Sequence, residues 1–243
     1  MSPPLRLAIF DLDGTIIDSR DNIMRAVADT AKLCGLTVPT REMMPRVIGL
    51  ELDEALLTLF PEVAPADILP VRTAFGECFV RYRTESDYRE PLFEGALDVF
   101  ETLSAAGFVL AIATGKARRG VDYFLDRHGL IERFVSIQTP DSAPGKPHPG
   151  MVLQAMAETG ASPEATVMIG DTTYDILMAR AAKAGAIGVS WGNHAGHELT
   201  TAGAHTLIDR MTDLHQAVDR LIVQRLGEAA PVAPGPAASG ETP

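Results

Sequence analysis

Cysteine is nearly missing: Cys34 and Cys78 are the only two in 243 residues, and they form no pair of metal-ligand spacing. A disulfide framework and a cysteine-built zinc site are thereby excluded, and two thiols in a chain of this size read as small buried apolar groups in a reducing compartment. There is also no apolar stretch long enough to cross a bilayer, and the first residues lack the basic start and long apolar region of a secretion signal. The expected compartment is the cytoplasm. Lys and Arg number 21 against 32 Asp and Glu, for a formal net charge of -11, and they form no basic cluster. Nucleic acid and anionic membranes are therefore not expected partners, because both are held by positive patches. No internal repeat stands out. What is present, 46% hydrophobic and 22% charged residues, suits one large soluble domain or two modest ones.

Against that background the segment 8–18, A-I-F-D-L-D-G-T-I-I-D, is the most informative. Leu7, Ala8, Ile9 and Phe10 read as a strand covered on both faces, as in a parallel sheet. The strand ends in Asp11 and Asp13, and alternation places both carboxylates on one side while Gly14 lets the backbone turn tightly above them. Two acids at the end of a buried strand are costly unless a cation compensates them. The four specified residues of D-x-D-G-T arise by chance about once in 10⁵ positions at ordinary residue usage.

Further apolar runs at 108–113, 133–137, 166–169 and 186–191, most of them separated by helical spacing, predict an alternating β/α sheet with helices on both faces. Helical stripes include Leu97, Phe100 and Leu103, and later Met211, Leu214, Val218 and Leu221. Residues 17–89 break the alternation. Ile23, Val27 and Cys34 form one stripe, Leu52, Leu56 and Leu59 another, and Ile68, Val71, Phe75, Phe79 and Tyr82 a third. An all-helical block inserted there would sit above the carboxyl ends of the strands, where such sheets bind ligands. The expected organisation is a core of 1–16 and 90–226, a helical cap of 17–89, and a disordered Pro/Ala/Gly-rich tail of 227–243.

Three more polar groups fall at the ligand-binding end of this sheet. The run 108–113 ends in Thr114-Gly115-Lys116, a hydroxyl and approachable backbone N–H groups at a helix start, suited to an anion. Lys146 lies between Gly145 and Pro147, with Pro149 beyond, in a rigid segment able to aim the ammonium inward. It is not a nucleotide-binding P-loop, because Pro147 stands where Ser or Thr is required. The run 166–169 delivers Asp171, with Asp175 one helical turn later on the same face, giving oxygen ligands for a hard cation such as Mg²⁺.

This set and order, D-L-D-G-T, Thr114, Lys146 and G-D-T-T-Y-D, resembles the haloacid dehalogenase superfamily across nearly all of residues 5–226. The resemblance implies a Rossmann-like parallel core plus a cap, and a helical cap in this position is similar to that of the phosphoglycolate phosphatase group. It also implies the roles. Asp11 would attack phosphorus, and Asp13 would protonate the leaving oxygen and then activate water to hydrolyse the aspartyl-phosphate. Thr114 and Lys146 would bind and neutralise the phosphoryl group, with Leu12, Asp13 and Gly115 completing its seat. Mg²⁺ would be held by Asp11, the Asp13 carbonyl and Asp171, with Asp175 orienting the site from behind. An acid at position 13 disfavours the dehalogenases and phosphonate hydrolases of the superfamily.

The function so expected is Mg²⁺-dependent hydrolysis of a small phosphorylated metabolite, with phosphoglycolate the first compound to try. A β-phosphoglucomutase-type phosphosugar mutase, a pyrophosphatase or a nucleotidase would use the same core. A receiver-type signalling module fits less well, because its acidic pair and its phosphorylated Asp lie on different strands. In the cap, Arg46 and Gly49, in the stretch 46–51, are candidate specificity residues, and Arg81 and Arg83 are further cations able to meet an anion. His194 and His197 form H-x-x-H without a third ligand nearby, so they read as loop histidines, with Trp191 and His194 at the pocket mouth. The oligomeric state is not legible.

Overall fold

Leu7, Ala8, Ile9 and Phe10 are wholly buried because their strand runs through the middle of a sheet. The structure is a computed structural model that describes residues 4–229. Six strands are present: β1 (Arg6–Phe10), β2 (Phe108–Ala113), β3 (Ser136–Gln138), β4 (Thr166–Gly170), β5 (Gly185–Val189) and β6 (Thr206–Ile208). All pair in parallel, in the order β3-β2-β1-β4-β5-β6. The chain leaves β1 outward to β2 and β3, then returns to lay β4 on the other flank of β1. That reversal opens a crevice at the carboxyl ends of β1 and β4.

Alternation along β1 divides the interior in two. Ala8 and Phe10 enter one apolar cluster, under α4 (Ala96–Ala105), α5 (Arg118–His128) and α9 (Leu214–Ala229). Leu7 and Ile9 enter the other, under α6 (Gly150–Thr159), α7 (Thr173–Ala181) and α8 (Gly196–Thr201). Phe100 of α4 meets the Phe10 ring edge-on at 5.3 Å and the Phe134 ring at 5.2 Å. Each such fully buried side chain contributes about 1.5–3 kcal/mol through loss of contact with water.

Residues 20–82 carry α1 (Arg20–Cys34), α2 (Leu52–Leu59) and α3 (Ile68–Tyr82), with short 3-10 turns between them. Val27, Met44, Val47, Leu56, Leu59, Phe60 and Val71 form their shared apolar core. The two connections to the sheet run side by side: the Asp18 N–H donates to the Pro91 carbonyl, and the Phe93 N–H to that of Ile16, both at 2.9 Å.

Several expectations shift. Strand pairing begins only at Ser136, because Val135 is exposed, and β5 ends at Val189 instead of 191. β6 was not foreseen, since three residues at a sheet edge leave no readable pattern. Leu97 is 47% exposed, and Ala96 and Val99 take its place on the buried stripe with Phe100 and Leu103. Residues 227–229, expected in the tail, belong instead to α9, which continues to Ala229. The rest of that tail, 230–243, lies outside the described residues.

Phe100→Ala is expected to lower unfolding free energy by about 3–5 kcal/mol, whereas Leu97→Ala should stay within roughly 0.5 kcal/mol of the natural chain. Urea unfolding of the two variants checks this, and equal losses would contradict the assigned stripe.

Candidate active site

The Asp11 N–H donates to the Ile169 carbonyl at 2.9 Å, which sets the first acid beside the end of β4. Behind it lies Lys146, whose side chain has no exposure. Its Nζ is 2.7 Å from Asp11 Oδ1 and 2.6 Å from Asp175 Oδ1. Both are close charge-assisted contacts between buried groups, and Asp11 Oδ2 is buried without a partner. Asp175 is fixed from its other oxygen: Oδ2 accepts from the Thr172 N–H at 3.0 Å and its hydroxyl at 2.7 Å, in a capping box that starts α7. One carboxylate thus ends a helix's unpaired donors and steadies the buried lysine.

Asp171 is clasped from both sides. Thr15 Oγ1 donates to Oδ1 at 2.8 Å, while the Asn193 N–H and side-chain amide donate to Oδ2 at 2.7 and 2.8 Å. Arg20 in turn holds Asn193 Oδ1 at 3.2 Å. Gly14, at φ +92°, crosses directly over this acid; a Cβ there would collide with the Asp171 carboxylate and the Asn193 amide. Thr15 stood in the D-L-D-G-T motif with no role of its own, and Asn193 was not singled out in the sequence, where the histidines of the W-G-N-H loop were the more conspicuous signal.

Asp13 turns elsewhere. Its carboxylate is ion-paired to Lys116 Nζ, at 3.0 and 3.2 Å, and Glu90 lies 3.7 Å from the same ammonium. Burial opposes the charge on Lys116, but Asp13 and then Glu90 outweigh it and raise its pKa. Thr114, buried at the end of β2, accepts from the Lys116 N–H at 3.2 Å. Leu12 places its side chain in the core. A cavity of about 160 Å³ has Asp11, Asp13, Thr114, Gly115 and Lys116 along one side and the helical segment 20–82 along the other. Gly115 permits the close approach, since a Cβ would strike the carbonyl oxygens of Gly49 and Leu50.

The remaining candidates separate. Gly49 lines the cavity, but Arg46 does not: its guanidinium is paired to Glu198 at 2.6 Å and is 63% exposed, while its carbonyl accepts from the Tyr174 hydroxyl. Arg83 reaches the wall and stacks on Tyr123, whereas Arg81 pairs with Asp29. His194 is buried, with Nδ1 accepting from the Thr173 N–H at 3.0 Å and Nε2 donating to the Pro45 carbonyl at 2.9 Å, so neither nitrogen is left for a metal. Burial lowers its pKa and keeps the ring neutral. His197 is exposed. Trp191, placed at the pocket mouth by sequence, instead donates to the Thr15 carbonyl at 3.1 Å and borders a separate polar crevice with Arg20 and Asn193.

With this geometry in view, comparison with known proteins is decisive about kinship. The sequence profile of the haloacid dehalogenase-like hydrolases matches residues 8–189. The chain belongs to that family. It is 32% identical over 219 residues to the probable phosphatase IndB of Dickeya dadantii, across 89% of this chain and 94% of that one. It is 30% identical over 229 residues to a phosphoglycolate phosphatase of Agrobacterium fabrum, across 92% and 97%. A solved hydrolase from Pseudomonas syringae superposes with a TM-score of 0.77 at 27% identity, over 88% of this chain and 98% of that one. No helix among the described residues of this hydrolase is long and apolar enough to cross a membrane.

The cluster fits a divalent cation. Asp11, Asp171 and Asp175 each offer a carboxylate oxygen within 4.8 Å of the others, all buried. Such a hard, all-oxygen set matches Mg²⁺, and the unpartnered Asp11 Oδ2 supplies free lone pairs. The ligand set expected from sequence was the Asp11 and Asp171 carboxylates with the Asp13 main-chain carbonyl, and Asp175 behind; the Asp175 carboxylate converges with those of 11 and 171.

Burial, which outweighs the pull of Lys146, pushes the Asp11 carboxyl up to about 8, helped by Asp175 and Asp171. Burial and Asp175 likewise raise Asp171 to about 6, against its hydrogen bonds from Asn193 and Thr15. Lys146 is raised too: burial acts to lower it, but the two facing carboxylates prevail. The folded chain therefore holds protons on Asp11 and Asp171 more tightly than the unfolded chain does. Without a divalent ion, the contribution of Asp11 to stability should fall as pH climbs from 3.8 towards about 8. Thermal melts in EDTA are expected to show Asp11→Asn stabilised relative to the natural chain at pH 8, with the gain shrinking towards pH 5 and shrinking again when Mg²⁺ is added. Lys146→Met, which leaves buried acids uncompensated, should lose about 3–5 kcal/mol in EDTA. A pH-independent difference for Asp11→Asn would contradict this electrostatic account.

Proposed function

We propose that this hydrolase is a Mg²⁺-dependent phosphatase that cleaves a small phosphomonoester through an aspartyl-phosphate on Asp11. The observation that carries the reading is Asp11 itself. It is the one member of the buried charged cluster that reaches the cavity wall, and while Oδ1 faces the Lys146 ammonium at 2.7 Å, Oδ2 lacks a hydrogen-bond donor. A carboxylate in that condition is a nucleophile held ready.

An Asp11 oxygen would form a bond to phosphorus while the ester P–O bond breaks, and Asp13 would give its proton to the departing oxygen. Asp13 would then take a proton from water as that water attacks phosphorus, breaking the acyl-phosphate bond and returning the Asp11 carboxylate with inorganic phosphate. Thr114 and the main-chain N–H groups of Leu12, Asp13 and Gly115 would hold the phosphoryl oxygens, and Lys146 would neutralise their charge. Mg²⁺ held by Asp11 and Asp171, with the Asp13 carbonyl and Asp175 close by, would offset the repulsion between carboxylate and phosphate. The helical segment 17–89 would act as the cap that closes over the ester and excludes water. The names of the Dickeya and Agrobacterium relatives, both phosphatases, support this class of reaction.

Release of inorganic phosphate from a panel of phosphorylated metabolites tests the proposal. Turnover is expected with Mg²⁺ and not with EDTA. Asp11→Asn should lose more than about 10³-fold in kcat, and Asp13→Asn about 10²–10⁴-fold. Persistent activity in the Asp11→Asn chain would remove the covalent route.

A further inference from the structure

We infer that the leaving group of the substrate carries an apolar body, an aryl ring or a medium-length alkyl chain, seated in the cavity between the helical segment and Asp11. This rests on the phosphatase reading above and narrows it to a class of ester. Among the described residues, every one that segment 20–82 contributes to the wall is apolar or glycine, including Val27, Met44, Leu52, Leu56, Phe75 and Phe79. The charged wall residues all lie elsewhere. Asp11, Asp13 and Lys116 stand at the sheet end, Arg119 is on α5, and Arg83 closes the helical segment directly after α3. Polarity is therefore divided across the cavity, matching a molecule with a phosphate at one end and an oily group at the other.

An apolar group packed against this wall gains dispersion contacts, and the side chains that residues 20–82 place on the wall offer water no hydrogen-bond partner. Part of the wall is the segment's own core, as Val27, Met44 and Leu56 are buried there, but Leu52 and Phe75 are only partly covered by it. Hydroxyl-rich leaving groups suit the wall badly, because a sugar hydroxyl placed there would surrender its water hydrogen bonds with no replacement. A two-carbon acid such as glycolate would leave the space unfilled.

The test uses the full chain with Mg²⁺ and compares n-alkyl phosphates from methyl to octyl, phenyl phosphate, 2-phosphoglycolate and glucose 6-phosphate. In parallel, thermal shifts are measured with uncleavable n-alkylphosphonates of the same lengths. The expected result is a kcat/KM that rises roughly two- to fourfold per methylene until the space is filled, with thermal shifts rising in step. Ala55→Phe, which fills the same space, should flatten both series; should that variant not fold, the phosphonate series on the natural chain decides alone. A flat chain-length series, or a preference for 2-phosphoglycolate or glucose 6-phosphate, overturns the inference and leaves the phosphatase reading standing. Shifts that grow with length while no ester is cleaved support the apolar seat and overturn the phosphatase reading. Neither shift nor cleavage overturns both.

Discussion

A single ammonium between two carboxylates organises this molecule's interior. Lys146 has no contact with water, and it lies within ion-pair distance of Asp11 from the end of β1 and Asp175 from the first turn of α7. Asp171 belongs to the same cluster. When all three acids are ionised the lysine leaves two negative charges uncompensated, which is the charge of one divalent cation. Sheet topology produces this concentration: the crevice where β1 and β4 part is the place to which both strands deliver an acid. On the proposed reading a divalent cation would balance that charge, and its binding would be linked to folding through this cluster.

The acids of the cavity lie on its sheet side, and residues 20–82 face them with an apolar wall that ends at Arg83. The two sides are joined by adjacent chain passages at 16–18 and 91–93, and they also touch where the Tyr174 hydroxyl and the His194 ring reach the carbonyls of Arg46 and Pro45. Tyr174 makes its contact from the first turn of α7, and His194 from the loop that also carries Asn193 of the Asp171 clasp.

Much of this was readable from the chain because the acids follow apolar runs. A buried strand that ends in a carboxylate announces itself through burial cost alone, and so Asp11, Asp171 and the sheet were legible. Lys146 was legible through the rigid residues around it. What escaped were relations set by packing between distant segments. Lys116 meets Asp13 across 103 positions and Asn193 meets Asp171 across a strand-loop crossing, and neither pairing has a local pattern. Arg46 showed the converse difficulty: a cation beside a cavity-lining loop looks substrate-facing until Glu198 is found beside it. Leu97 and Ala96 differ by a single helical position, 100° of rotation, which a stripe of three residues does not resolve.

Gly115 carries a consequence beyond its own turn. The carbonyl oxygens of Gly49 and Leu50 come so near its Cα that even one methyl group would wedge the two halves of the protein apart. The approach of the helical segment to the sheet end is therefore set by a missing carbon atom, main chain lying directly against main chain at this point.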